Sequence, residues 1–118
     1  MANAQVSYEY DPKNMKFRNL GPSGLRVPVF SLGGWLSYGH NVEGEGVKDV
    51  LKLAFESGVN MIDLAEAYAN GNCEREVGKA LKELGYRRSD WIVTTKIFFG
   101  VGRKGPNDRG LSRKQQYY

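Results

Sequence analysis

Three features of this 118-residue chain predict an α/β fold that opens a closed (β/α)8 barrel. Strand-like apolar runs alternate with amphipathic helical runs after an N-terminal hairpin, the pattern of parallel βαβ units with right-handed crossovers. Asp63 and Lys96 each stand where a predicted strand ends, and a barrel gathers its functional groups at the C-terminal ends of its strands. An open doubly wound sheet shares the same element order. It is disfavoured because no Gly-x-Gly-x-x-Gly follows the first strand. Gly33-Gly34 alone is a weak signal, and Gly100-x-Gly102 lacks the rest of that fingerprint.

Taken in order, residues 1–14 read as a flexible leader. Met15 to Leu20 alternates apolar and polar as a half-buried strand does, Gly21-Pro22-Ser23-Gly24 is a turn cluster, and Leu25 to Val29 alternates again. These make a β-hairpin, with Pro28 at an edge or strand end. Val29-Phe30-Ser31-Leu32 leads into Gly33-Gly34, where backbone can approach a ligand closely. From residue 47 the period changes. Val47, Val50, Leu51, Ala54 and Phe55 fall on one helical face, and Gly58 stands where that helix stops. Asn60 to Asp63 is a short buried strand. Val77, Ala80, Leu81 and Leu84 repeat the helical spacing up to Gly85, with Asn72 as the expected cap and Glu74 and Glu76 near the positive end. Trp91 to Thr95 is β-branched and aromatic, hence strand. Glycines at 100, 102, 105 and 110 with Pro106 then make a long loop, and Leu111-Ser112-Arg113-Lys114 opens a further helix capped by Ser112.

Composition narrows the function classes. With 41% hydrophobic residues and mixed charges the chain suits one globular domain at most. No apolar run reaches the roughly 18 residues of a membrane span, and Met1 to Asn14 lacks the apolar segment of a secretory signal. The single Cys73 excludes an internal disulfide framework and fits a reducing, cytoplasmic setting. No His pairs with it, so it reads as a bystander thiol. Residues 1–96 carry 12 Lys/Arg and 12 Asp/Glu, so the net charge of +4 comes entirely from residues 97–118. A basic tail can neutralise phosphates. Phe98, Phe99, Tyr117 and Tyr118 flank this one without regular interleaving, so it reads as a solvated loop and no nucleic-acid partner is expected. His40 reads as a loop residue, and no metal site is expected because ligand partners are missing.

Asp63, Tyr68 and Lys96 are the chemical candidates, expected to meet near the ends of two neighbouring strands. When a carbonyl is reduced, hydride reaches carbon and a proton must reach oxygen. A tyrosine can donate that proton, and an ammonium beside a phenol favours the phenolate that results. Lys96 suits that part, with Asp63 holding it charged and oriented. The hydride calls for a nicotinamide cofactor, since no side chain supplies one. Spacing alone leaves bland alternatives open: Asp63 as a loop cap, Tyr68 packed on a helix, Lys96 merely exposed.

Several segments in order resemble the aldo-keto reductases. They are Phe17-Arg18-Asn19-Leu20-Gly21-Pro22-Ser23-Gly24-Leu25-Arg26-Val27, Asp63-Leu64-Ala65-Glu66-Ala67-Tyr68, Gly71-Asn72-Cys73-Glu74 and Thr94-Thr95-Lys96. Trp35-Leu36-Ser37-Tyr38-Gly39 and Arg109-Gly110-Leu111-Ser112-Arg113-Lys114 are most similar to the branch containing voltage-gated potassium channel beta subunits. The resemblance runs from about residue 15 to 114. It implies a TIM barrel whose base is plugged by the hairpin, with NADPH as cofactor and small aldehydes or ketones as substrates. Tyr68 would be the general acid, with Lys96 and Asp63 tuning it. Gly34, Trp35, Asn41 and Asp63 would lie against the nicotinamide. Gly34 stands where relatives often carry Thr. In the beta-subunit branch the partner would be a channel's cytoplasmic domain, through a homo-tetramer.

Against that pattern, residues 15–118 are expected to be a partial domain, truncated after the third strand and inactive alone. The family's fourth catalytic residue, a His or Asn beyond the next strand, has no match, and His40 does not supply it. The segments that bind the cofactor's pyrophosphate and 2′-phosphate have none either, and Gln115-Gln116-Tyr117-Tyr118 departs from the amphipathic helix of relatives. A whole barrel takes about 250 residues. Three βα steps leave an open sheet edge and exposed apolar helix faces, so poor stability or aggregation and weak NADPH binding are expected of the chain alone.

Overall fold

Alternating side chains and a tight turn set the hairpin. The structure, a computed structural model, describes residues 9–102 and 104–117. Strand β1 (Phe17–Asn19) pairs antiparallel with β2 (Arg26–Pro28), Phe17 opposite Pro28. A 3-10 turn over Gly21–Ser23 joins them, closed by Gly24 at φ 78, a left-handed conformation that glycine adopts without strain. The Ser23 hydroxyl locks the turn, donating to the Leu20 carbonyl at 2.6 Å and accepting the Leu25 N–H at 3.2 Å. Pro28 ends its strand, where its missing N–H costs no ladder bond.

The second sheet is parallel, with β3 (Leu32–Gly33), β4 (Met61–Asp63) and β5 (Ile92–Thr94) side by side in chain order. Helix α1 (Glu45–Glu56) connects β3 to β4, and α2 (Asn72–Leu84) connects β4 to β5. Gly33 lies opposite Asp63, and Asp63 opposite Thr94, so the three strands finish level. That register, more than any single contact, brings the candidate residues to one end of the sheet.

The core lies between the helices and this sheet. Val47, Leu51 and Phe55 from α1 meet Ile62 of β4, Cys73, Val77 and Ala80 of α2, and Trp91. Each fully buried Val, Leu or Ile contributes about 1.5–3 kcal/mol relative to exposure. Phe55 stacks on Tyr86 with ring centroids 4.0 Å apart, and lies 5.0 Å from Trp91. The expected face of α1 is narrower than its spacing suggests: Val50 is exposed, as is the adjoining Leu53.

Asn72 does not cap α2. A turn over Tyr68–Gly71, left-handed at Ala69 and Asn70, leads into the helix across a kink, and Gly71 at φ 89 takes the cap position with no side-chain bond. Asn72 is therefore already helical, and its amide reaches across to the Gly39 carbonyl at 2.9 Å and the Glu43 carboxylate at 3.3 Å. Ser112 behaves as expected, accepting the Gln115 N–H at 3.2 Å at the start of α3 (Arg113–Tyr117). Residues 1–8 of the expected leader lie outside the described residues. Over 9–14 the chain is tied to the core: the Tyr10 hydroxyl donates to the Gly58 carbonyl, and its ring meets Phe55 edge-on at 5.5 Å.

Candidate functional site

Pairing between β4 and β5 continues past their ends, and this sets the site. The Leu64 N–H donates to the Thr94 carbonyl at 2.8 Å, and the Glu66 N–H to the Lys96 carbonyl at 3.1 Å. The backbone of Lys96 is thereby fixed beside the end of β4. Its ammonium lies 3.0 and 2.9 Å from the two Asp63 carboxylate oxygens, 2.6 Å from the Leu64 carbonyl and 3.1 Å from the Tyr68 hydroxyl. It also stands 4.9 Å from the centre of the Tyr68 ring. The structure thus brings Asp63, Tyr68 and Lys96 into one contact group.

Donor accounting gives the group its chemical direction. An ammonium has three N–H donors and no acceptor. Here one serves Leu64, one serves Tyr68 and one is shared by the two Asp63 oxygens. The phenol oxygen of Tyr68 is therefore an acceptor towards Lys96, which leaves its own O–H to be directed elsewhere. The Asp63 carboxyl is held below the usual carboxylate range, first by the Thr94 hydroxyl at 2.7 Å and then by Lys96, against the opposing effect of burial. For Lys96 burial acts downward, but its hydrogen bonds and charge interactions with Asp63 and Tyr68 outweigh it and raise its pKa. The Lys96 and Asp63 side chains are 52% and 39% exposed, so water screens the pair and ligands can reach it. A cavity of about 330 Å³ opens there, lined by Tyr68 and Lys96 with Phe98 and Phe99.

The strand ends also position the remaining candidates. Gly34 is buried, its N–H donating to the Asp63 carbonyl at 2.9 Å and its carbonyl accepting the Cys73 thiol at 3.6 Å. A Cβ on Gly34 would come within 2.9 Å of Leu64 and 3.0 Å of Cys73. A side chain at this position would therefore have to shift the Leu64 and Cys73 side chains. Trp35 and Asn41 stand exposed in the loop after β3, where the Asn41 amide donates to the Leu36 carbonyl at 2.7 Å. Among the described residues no hydrogen bond or ion pair joins either side chain to the Lys96 group. Cys73 is fully buried, and burial, then Glu74, pushes its thiol up.

Three participants escaped the sequence reading. Thr94 orients Asp63. The Leu64 carbonyl fixes the ammonium. The Glu66 carboxylate accepts the N–H groups of Phe98 and Gly100, at 3.0 and 2.8 Å, and so folds the loop after β5 over the site. Thr94 was open to discovery, since a strand residue level with Asp63 on the next strand must adjoin it.

The Aldo/keto reductase family matches residues 30–117. The chain belongs to the aldo-keto reductase family. A putative voltage-gated potassium channel subunit beta from Schizosaccharomyces pombe is 54% identical over 112 residues, covering 94% of this chain and 33% of that protein. A probable voltage-gated potassium channel subunit beta from Arabidopsis thaliana is 48% identical over 100 residues, covering 85% of this chain and 30% of that protein. Among solved structures, an aldo-keto reductase from Bacillus halodurans in its holo form matches with a TM-score of 0.60 at 33% identity, over 81% of this chain and 29% of that one. A thermostable aldo-keto reductase in complex with the inhibitor epalrestat matches with a TM-score of 0.58, also at 33% identity, over 69% of this chain and 30% of that one. This chain therefore spans about a third of the length of the curated relatives it matches. Its open three-stranded parallel sheet corresponds to part of the aldo-keto reductase barrel. No helix among the described residues is long and apolar enough to cross a membrane.

Proposed function

We propose that this chain carries the proton-donating part of an NADPH-dependent reductase of small aldehydes and ketones, working in the cytoplasm. The observation that carries this reading is the Lys96 ammonium set between the Asp63 carboxylate and the Tyr68 hydroxyl. A carbonyl oxygen in the adjoining cavity accepts the free O–H of Tyr68. As negative charge develops on that oxygen, the Tyr68 proton moves to it. The phenolate left behind faces the Lys96 ammonium, which stabilises it, and Asp63 with the Leu64 carbonyl keeps that ammonium in place.

The donor set fits a nicotinamide cofactor. It provides an acid and its charge partners, and none of these side chains can reduce a carbonyl carbon. Bound NADPH supplies the hydride. Trp35, Asn41 and Asp63 would hold its nicotinamide end. Gly34 would take part only through its Cα, since its N–H and carbonyl are engaged within the chain.

The test joins residues 15–114 to the remaining barrel of the fission-yeast relative and measures aldehyde-dependent NADPH oxidation. Tyr68→Phe is expected to lower kcat by roughly a hundredfold to ten-thousandfold, the usual contribution of a general acid. Undiminished turnover in that variant sinks the reading. A second reading, a cofactor-sensing module on a channel's cytoplasmic domain, is favoured by the names of the two channel-subunit relatives. Co-purification of the chimera with such a domain, as a tetramer and without turnover, would support it instead.

A further inference from the structure

A second cavity, of about 610 Å³, lies beside the proton-donating group and has a different character. Lys104 and Arg109 line it, with Asn70, Gly102 and Phe99. Among the described residues neither cation has an ion-pair partner. The nearby carboxylate, Asp108, does not line the cavity; it accepts the Gly105 N–H at 2.8 Å and is occupied in shaping the loop. Phe99 lines both this cavity and the one containing Tyr68 and Lys96, so the two adjoin through one aromatic ring.

The loop is held in this position from both sides. Glu66 binds its first turn through two backbone N–H groups, and the Gly110 N–H donates to the Phe98 carbonyl at 2.7 Å, drawing Arg109 back towards the site. Asn70 also lines the cavity, and Ala69 and Asn70 follow Tyr68 with φ of 48° and 54°. Non-glycine residues rarely adopt that left-handed conformation, Asn more readily than Ala. The paired turn sends the chain from the proton donor directly to the cationic cavity.

We propose that the cationic cavity takes the anionic end of the substrate, so that the site selects small carbonyl compounds that bear a carboxylate. This rests on the carbonyl-reduction reading. The carbonyl oxygen meets Tyr68, the connecting carbons lie along Phe99, and the carboxylate meets Arg109 and Lys104. Arginine's fork suits a carboxylate in two-point contact, and lysine adds a point charge.

The experiment compares 4-carboxybenzaldehyde with benzaldehyde, which share ring and carbonyl and differ in charge. Titration of the isotopically labelled chain at low salt reads binding through the Gly102 and Gly105 amides. Where the chain alone gives a collapsed amide spectrum, the same titration is run on the chimera. The carboxylated aldehyde is expected to bind roughly tenfold tighter, as a charge-assisted contact at a partly exposed site would give. That preference is expected to disappear in Lys104→Gln/Arg109→Gln and to weaken with added salt. Equal affinities, or a preference that survives the double substitution, overturn the proposal. Inorganic pyrophosphate serves as the probe for a cofactor-phosphate site; its tight binding with none of the carboxylated aldehyde also overturns it. Turnover is scored separately. A chimera that reduces neither aldehyde while the binding preference persists sinks the catalytic reading and leaves the anion site standing.

Discussion

The helix-covered layer and the strand-end layer of this protein are stabilised by different physics. Under α1 and α2 the contacts are apolar, buried and ordinary in geometry: Val47, Leu51, Ile62 and Val77 are at most 1% exposed. At the ends of β4 and β5 the contacts are polar and half exposed, and the turn beside them carries two left-handed non-glycine residues. Each layer suits its task. Burial supplies stability without specifying chemistry, and a proton-donating group must stay open to ligand and water. A barrel separates these tasks spatially, so that either layer can be altered with limited effect on the other.

The largest expected effect tests that separation inside one helix. Leu51→Ala removes a fully buried side chain and is expected to cost about 2–5 kcal/mol in chemical denaturation. Leu53→Ala, two residues on and 68% exposed, should stay within about 0.5 kcal/mol. Similar losses for the two would mean that the exposed flank of α1 is covered in solution, and the contrast between layers would have to be redrawn.

A smaller effect probes the strand-end layer. Ala69→Gly removes the cost of a left-handed alanine at φ 48°, partly offset by the greater freedom glycine gives the unfolded chain. A net gain of about 0.5–1 kcal/mol in unfolding free energy is expected. A loss would show that Ala69 is not strained and that the turn is stable on its own terms.

The same division decides what could be read from the sequence. Periodicity reports on burial, so both helices, the hairpin and the two later strands were visible in Val47–Phe55, Val77–Leu84 and the short β-branched runs. It says little about polar geometry. The bonds from Thr94 to Asp63 and from Glu66 to the loop amides depend on register and loop path, which no local spacing encodes. Asn72 shows the failure in the other direction. Its residue type suited a cap, but the left-handed turn before it ends at Gly71, which took the position and left Asn72 as the first helical residue. Tyr10 was hidden for a related reason: its partners, Phe55 and the Gly58 carbonyl, lie more than forty residues away in the chain.

The smallest expected effect concerns the ion pair, and its sign follows from the directions of the two shifts. Asp63 titrates below its ordinary value of 3.8 in the folded chain, so its contribution is present above that value and is lost as pH falls through the lower, folded one. Lys96 titrates above its ordinary 10.5, so its contribution is present below that value and is lost as pH rises through the higher, folded one. Between these limits stability should be flat with respect to this pair, with a shallow decline at each end. Both side chains are more than a third exposed, so a double-mutant cycle on Asp63→Asn and Lys96→Met should return about 0.2–1 kcal/mol. Thr94→Val separates two sources of the acid limb. The Thr94 hydroxyl is the largest cause of the Asp63 shift, so removing it should move the acid decline towards pH 3.8 even though Lys96 remains. An acid limb that shifts with Lys96→Met but not with Thr94→Val would reverse that ranking, and would make the charge, rather than the hydrogen bond from the neighbouring strand, what keeps Asp63 ionised.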